Sequence, residues 1–586
     1  MSSVVFDAGG LPATAVTAAL DALGIDLDEP QRLRRTRYDT FDARLRRLGL
    51  QLEARATGSD AHALRVSGND GPPAQLYVAM ALPTDAPLRL GGLPRGPLRA
   101  RLLAAAGDRV LLPQITVASQ RRSGTLLADG IPQAVVHLDT DLQVDTPGAV
   151  PRVLTSGVPT SARHRARSRT RPPSGDAAPD PGAAPRATIE VEALPGRAAE
   201  AKALRRRLLA ALTEAAHATE PADTEASDAT VGSQPAATTP PPAPWEGDTL
   251  GFAAERTGVE LRGWRGPVRP DLDRHTPALI GLRAVLRSFA DALDANWQGA
   301  IDHVDDEFLH DLRIAVRQTR SLLGQSRRVL PKEVRREQRE AFKWLGTVTS
   351  PARDLDVYVA GWADLTSLLD PVDAAALEPV LAHLAGQRAE AHGEVARALG
   401  SPHANRIRAT WRAWLDLPEE GLGGGKHAED HLGAVIGSRI LAAQEQVLQR
   451  GRGIDADSPA AELHELRKDG KQLRYLLEGF GHLGGKKRSK ATITHLKQLQ
   501  DNLGAFQDAE VQADRLRTSL AELADAAESH TEASLPPGTL AAGERLATAL
   551  DRRREDARAA FDTRFAAYDR KPARRTLTEL VERMSR

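Results

Sequence analysis

The chain contains no cysteine, which removes disulfides, thiolate metal sites and cysteine nucleophiles together. Aromatic residues are scarce, at 4%, so there is little material for stacking bases. Neither sign of charge is in excess. Lys and Arg number 78 and so do Asp and Glu, and any attraction for an anion must come from local clustering. No run approaches the roughly 18 apolar residues of a membrane-spanning helix, and the start, Met1-Ser-Ser-Val-Val-Phe-Asp7, lacks a basic segment followed by an apolar one. These absences predict a cytoplasmic, unprocessed protein with no membrane partner.

What is present is enough for more than one core: 586 residues, 41% of them hydrophobic, predict two or three domains. Two stretches lack the apolar content to offset chain entropy and are expected to be disordered, about 161–186, opening with the basic run Arg163 to Arg171, and about 220–244, ending in Pro-Pro-Pro-Ala-Pro. Before them, Ala134–Asp141 and Ala187–Glu192 alternate like strands with one wet face, and Arg197–His217 has helical periodicity. After Trp245 the periods are helical. The expected organisation is an antiparallel α+β domain over 1–218 with an insert near 161–186, a flexible linker over 219–247, and an all-α domain over 248–586 with halves near 275–420 and 428–575.

The halves rest on a repeat. His310-Asp-Leu-Arg313-Ile-Ala-Val-Arg317-Gln-Thr-Arg320 recurs 154 positions later as His464-Glu-Leu-Arg467-Lys468-Asp-Gly-Lys471-Gln-Leu-Arg474. In each copy His, Arg, Arg or Lys, and Arg stand at offsets 0, 3, 7 and 10. On a helix these positions share a stripe about 80° wide and about 15 Å long. Leu309, Leu312, Val316 and Leu323 lie beside the first stripe, and Leu463, Leu466, Leu473 and Leu477 beside the second, so each helix is anchored on one side and basic on the next. Like charges at this spacing repel by a few tenths of a kcal/mol per pair. Neither copy places a carboxylate among its four positions, so a multiply charged external anion is the expected partner.

Metal chemistry is weighed against this. His310-Asp311 has the look of a phosphohydrolase ligand pair, but its counterpart is His464-Glu465 and no further ligand falls at helical spacing. His427 and His431 are four apart, yet lack the Glu that follows the first His in a zinc-protease helix. No metal and no cofactor is expected.

His310-x-x-Arg313-x-x-x-Arg317-x-x-Arg320, followed by Trp344-Leu345 and Ala352-Arg353-Asp354-Leu355-Asp356-Val357, resembles the first half of a CHAD domain, the conserved-histidine α-helical domain. His464-x-x-Arg467-Lys468-x-x-Lys471-x-x-Arg474-Tyr475, then Leu499-Gln500-x-x-Leu503-Gly504-x-x-x-Asp508, resembles the second. The resemblance spans about 275–575. It implies two pseudo-symmetric four-helix-bundle-like halves whose basic faces line a shared surface or central pore and bind inorganic polyphosphate, often at bacterial polyphosphate granules. Gln318 departs from the family, which commonly has a second basic residue there. Arg353, Asp354 and Asp356 read as ion pairs fixing the halves together.

The first domain is similar to CYTH proteins, the triphosphate tunnel metalloenzymes, through Tyr38-Asp39-Thr40-Phe41-Asp42-x-x-Leu45-x-x-x-Gly49-Leu50-x-Leu52-x-x-Arg55 and the late acidic strand Ala187-Thr-Ile-Glu190-Val-Glu192. That family's catalysis rests on an N-terminal Glu-x-Glu-x-Lys strand. Here the region reads Val4-Val5-Phe6-Asp7-Ala8, and without that triad Asp139, Asp141, Glu190 and Glu192 are not expected to hold a divalent ion in catalytic geometry. The expectation is a degenerate CYTH-like domain with no catalytic residues.

The polyphosphate-binding residues expected from both readings are His310, Arg313, Arg317, Arg320, Arg328, Lys343, His464, Arg467, Lys468, Lys471, Arg474 and Lys497. The competing readings are an inorganic triphosphatase working through the first domain, and a general binder of nucleic acid or other phosphate polymers, with nucleic acid expected only as a weak competitor.

Overall fold

The computed structural model describes residues 3–8, 10–57, 61–68, 74–78, 86–145, 187–219, 244–259, 261, 263–264, 266, 270–529 and 535–586. The segments 161–186 and 220–243, with the basic run Arg163 to Arg171, lie outside the described residues. Two compact units divide the chain, Met1–Gly266 and Pro267–Arg586.

The first unit is built on one antiparallel sheet of nine strands: β1 (Ser3–Asp7), β2 (Gln31–Thr40), β3 (Leu50–Thr57), β4 (Ala61–Gly68), β5 (Ala74–Val78), β6 (Leu111–Ala128), β7 (Ile131–Asp145), β8 (Ala187–Ala193) and β9 (Pro244–Glu246). Their order is β5-β4-β3-β2-β6-β7-β8-β1-β9. Asp129 and Gly130 close the long β6–β7 hairpin with φ of 50° and 74°, the left-handed pair that a tight two-residue turn demands. Helices α1 (Ala13–Asp21) and α4 (Ala198–Thr219) bury Val16, Leu20, Leu204, Leu208 and Leu212 against Val4, Phe6, Val136, Leu138, Ile189 and Val191. A second core joins β3 and β4 to α2 (Arg44–Arg47) and α3 (Pro97–Ala106) through Leu45, Leu52, Leu64, Leu98 and Leu102.

This unit runs past the boundary drawn from the sequence. β9 pairs with β1, Val5 opposite Trp245, and α5 (Thr249–Arg256) buries Leu250 and Ala253 against Ile115, Val117 and Leu142. Residues 244–256 therefore belong to the sheet rather than to a linker or to the helical domain.

The second unit is helical: α6 (Ala278–Ile301), α7 (Asp306–Gln325), α8 (Lys332–Ala360), α9 (Trp362–Thr366), α10 (Pro371–Ala376), α11 (Glu378–Leu399) and α12 (Pro402–Leu415), then α13 (Leu432–Gly453), α14 (Ala460–Phe480), α15 (Lys486–Ser529), α16 (Thr539–Ala559), α17 (Phe561–Tyr568) and α18 (Lys571–Ser585). Turns between helices fall at the Gly and Pro breaks Leu330-Pro331, Gly421–Gly425 and Leu483–Gly485. α18 packs on α13 and α15, which carries the second half beyond residue 575. The apolar stripes of both motif helices are buried throughout, from Leu309 to Leu323 and from Leu463 to Leu477.

A local two-fold axis relates the halves. Pro277 forms an isolated antiparallel bridge with His431, its own counterpart 154 positions on. The flanking bonds, Ala278 N to Asp430 O (2.9 Å) and Leu432 N to Thr276 O (2.8 Å), are images of each other under the repeat. The Tyr358 hydroxyl donates to the carbonyl of Gln512 (3.1 Å), again 154 positions away. Residues that face their own repeat images mark the axis of a two-fold arrangement.

Candidate functional site

α7 and α14, the two motif helices, pack against each other. Asp305 caps α7, its carboxylate accepting from Glu307 N (3.1 Å) and Phe308 N (3.3 Å), and Asp306 and Glu307 add negative charge to the first turn, where the helix dipole favours it.

In the first copy His310 and Arg313 are half-buried while Arg317 and Arg320 are exposed. The Arg313 guanidinium docks on α8, donating from Nη1 to Gly346 O (3.1 Å) and Thr349 Oγ1 (3.0 Å) and from Nη2 to Ser350 Oγ (2.9 Å). None of these acceptors is charged. Burial, with Arg317, Arg353 and Arg320 nearby and Asp354 opposing, pushes Arg313 down to about 10.

The second copy is partly neutralised by carboxylates, contrary to expectation. Arg474 Nε pairs with Glu478 (2.6 Å), Lys468 with Glu465 (2.7 Å) and Arg467 more loosely with Asp508 (3.4 Å). Glu478 and Glu465 are helix neighbours four and three positions from their partners, outside the four-position row itself. His464 Nδ1 is hydrogen-bonded to the Gln507 amide oxygen. Lys471 makes no ion pair among the described residues. Burial, beside Arg467, Arg317 and Arg474 and against Asp508, pushes its ammonium down to about 8.

Arg317 belongs to the first copy and Lys471 is its image in the second; with α7 packed on α14, the two lie within electrostatic reach of each other, which puts the centres of the two rows on the same side of the axis. Lys343 on α8 and Lys497 on α15 are likewise exposed and 154 apart. Among the described residues Arg317, Arg320, Lys343 and Lys497 also make no ion pair.

Residues 284–517 match the family model described as the CHAD domain. The helical unit carries a CHAD domain. Solved structures similar to the chain include the CHAD domain of the plant Ricinus communis, at 25% identity over 53% of this chain and 95% of that one with a TM-score of 0.39. PptA from Streptomyces chartreusis is similar at 18% identity over 50% and 100% with a TM-score of 0.37. The PH1819 protein from Pyrococcus horikoshii OT3 is similar at 12% over 37% and 90%, with a TM-score of 0.19. The chain matches no curated protein. The antiparallel sheet of the first unit is consistent with a CYTH-like fold. No helix among the described residues is long and apolar enough to cross a membrane.

Within the CHAD domain, Arg328 stands apart from the rows. It follows α7 with φ of 66° and lines an open hollow with Arg327, His427, Asp430, His431 and Arg439. There His427 Nδ1 bonds Asp430 (2.7 Å) while His431 Nδ1 bonds the carbonyl of His275 (3.0 Å). Gln318, the departure from the family pattern, lines a cavity of about 340 Å³ of mixed character with Phe289, Leu322, Tyr475, Glu478 and His482.

Asp356 does not join the halves. It is 1% exposed and is held by Arg388 Nε (2.7 Å) and His392 Nε2 (2.8 Å), both from α11 of the same half. Asp354 is the residue within electrostatic reach of both halves, of Arg313 on α7 and Arg515 on α15. The sequence reading also missed Thr349, Ser350 and Gln507, neutral residues that position the row, and the clustering of His303, Asp306, Asp356 and His392, whose ligand atoms lie within 4.8 Å of one another. The 154-residue spacing continues into the partner helices, pairing Asp354 with Asp508 and Lys343 with Lys497, and that signal could have extended the site.

In the first unit the polar sheet face is filled by its own ion pairs. Arg35 reaches Asp139 (3.0 Å) and Glu190 (3.4 Å), and Arg121 reaches the same two carboxylates at 2.6 and 3.2 Å. Arg37 pairs with Asp248 (2.5 Å), Arg55 with Glu53 (2.7 Å) and Arg65 with Glu192 (2.7 Å). Burial opposes ionisation of Asp139, but Arg35 and Arg121 outweigh it and hold the carboxyl well below its ordinary range. Thr249 from α5 donates to Glu190 (3.0 Å). β1 contributes Ser3, Val5 and Asp7 opposite Glu192, Glu190 and Thr188, and Asp7 is itself paired with Arg256 (3.5 Å).

Proposed function

We propose that the paired basic rows of the CHAD domain bind inorganic polyphosphate, a linear polymer with a charge on every phosphate. The observation that carries this reading is the packing of the two motif helices α7 and α14 on each other, with Arg317 and its image Lys471 within electrostatic reach, which supports reading two stripes of about 15 Å as one surface. A mixed Arg and Lys surface suits a flexible, repeating anion, since Arg forks onto two oxygens and Lys acts as a movable point charge. The ion pairs of the second copy are surface pairs worth about 0–1 kcal/mol each, so a polymer that releases counterions along its length can displace them. The contacting residues in this reading are His310, Arg313, Arg317, Arg320, Lys343, His464, Arg467, Lys468, Lys471, Arg474 and Lys497, with Arg328 outside the central surface. The site of action is the cytoplasm, at polyphosphate granules.

In the same reading the first unit is not a catalyst. Its interior cations already have carboxylate partners, and a triphosphate would have to break several buried pairs to enter. The full chain with Mg²⁺ or Mn²⁺ is expected to release no phosphate from inorganic triphosphate above background. The binding test is titration with long polyphosphate of the chain and of the Arg313→Ala/Arg467→Ala variant. Loss of binding with helicity retained is expected; unchanged binding rejects the assignment. Long polyphosphate should also displace single-stranded nucleic acid at equal phosphate concentration, and the reverse displacement would favour a nucleic-acid binder.

A further inference from the structure

We propose that His303, Asp306, Asp356 and His392 form a binding site for a divalent first-row transition metal ion such as Zn²⁺. The four come from the turn before α7, the first turn of α7, the C-terminal end of α8 and α11, and their ligand atoms all lie within 4.8 Å of one another.

Several features of the cluster exceed what packing requires. His303 holds φ at 45°, a left-handed conformation that a residue with a side chain rarely adopts, and this places its ring on that of His392 with centroids 3.5 Å apart and planes 11° from parallel. Asp356 and His392 are 1% and 4% exposed, and Asp356 Oδ2 and His392 Nδ1 have no hydrogen-bond partner among the described residues. Buried polar atoms are rarely left so.

The cluster already contains one cation. Arg388 donates to Asp306, to Asp356 (2.7 Å) and to His303 Nε2 (3.4 Å). Arg388 faces both carboxylates, and its side chain is 25% exposed, so it has a route out to solvent. A divalent ion in its place would neutralise both carboxylates and use both rings. Two imidazoles with two carboxylates, and no sulfur ligand, suit Zn²⁺ and its divalent neighbours rather than Cu(I), and the imidazoles disfavour Mg²⁺ and Ca²⁺.

The second half shows that the fold does not need these residues. The counterpart of Asp306 is Ala460, and α16, which packs on α15 as α11 packs on α8, contains no histidine.

The test is titration of the full, chelator-treated chain with Zn²⁺ by calorimetry and with Co²⁺ by visible absorption. One equivalent per chain is expected, with a rise of several degrees in Tm when Zn²⁺ is about 100-fold above Kd. His303→Gln and His392→Gln should each weaken binding by about tenfold or more. Arg388→Gln removes the competing cation and should strengthen it, an outcome that a merely structural cluster would not give. His303 is half-exposed, so His303→Gln should keep the fold if His392→Gln does not. Failure of the wild-type chain to take up one equivalent, or unchanged affinity in both His303→Gln and Arg388→Gln, overturns the proposal.

Discussion

Lys471 lies beside Arg317 and among Arg467 and Arg474, and burial in that company pushes its ammonium down to about 8. A bound polyanion favours the protonated form, so the complex takes up a proton and affinity should fall as pH rises through about 8. Lys471→Arg, charged at all these pH values, should flatten the profile, which calorimetry at several pH values would show. Fold stability should move the other way. The folded group releases its proton before the unfolded one, whose value is 10.5, so stability rises with pH between about 8 and 10.5. Asp139 has the same slope at the acid end: its depressed folded value gives stability that is complete above the unfolded value of about 3.9 and is lost as pH falls below it. Truncating Asp139 to Ala leaves Arg35 and Arg121 short of their shared partner in a buried setting, and chemical denaturation should show a loss of about 3–5 kcal/mol. At this scale the charged positions were legible because like charges at helical spacing have no structural explanation. Thr349, Ser350 and Gln507 were not, because an uncharged acceptor leaves no mark on a sequence until the helix it faces is known.

α7 and α14 were readable as helices, with the apolar stripe buried and the basic stripe beside it, since a period near 3.6 fixes both faces at once. Their ends depend on local chemistry. Asp305→Ala removes the α7 cap and should cost about 0.5–2 kcal/mol, measurable by denaturation, with a smaller effect on polyphosphate affinity than any row substitution. The Asp305 variant is thus a control for instability alone. β9 and α5 were misplaced for a definable reason: three residues of strand after a Pro-rich stretch carry no periodicity, and only pairing with β1 assigns them to the sheet. Asp356 was misassigned similarly, because its partners Arg388 and His392 lie on α11, more than thirty positions away and unmarked by any motif.

The 154-residue repeat foretold two halves, and the structure adds that the repeat images Pro277 and His431, and Tyr358 and Gln512, meet one another, with Arg317 and Lys471 within electrostatic reach. A repeat tells how many basic rows there are; that they share a surface was implied by the family resemblance, and the axis supplies the geometry. Because the chain has no net charge, its pull on a polyanion depends on this convergence. Affinity should fall steeply with salt, with a log–log slope near −0.7 per phosphate engaged if the polymer behaves like a single-stranded polyelectrolyte. The most direct test places charge reversal at the centres of the two rows: polyphosphate titration of the full chain against Arg317→Glu/Lys471→Glu, with helicity checked by circular dichroism. An intact helical signal with affinity down about 100-fold or more at 0.1 M salt is predicted; affinity within about threefold of the unaltered chain, roughly 0.6 kcal/mol, would contradict a shared basic surface.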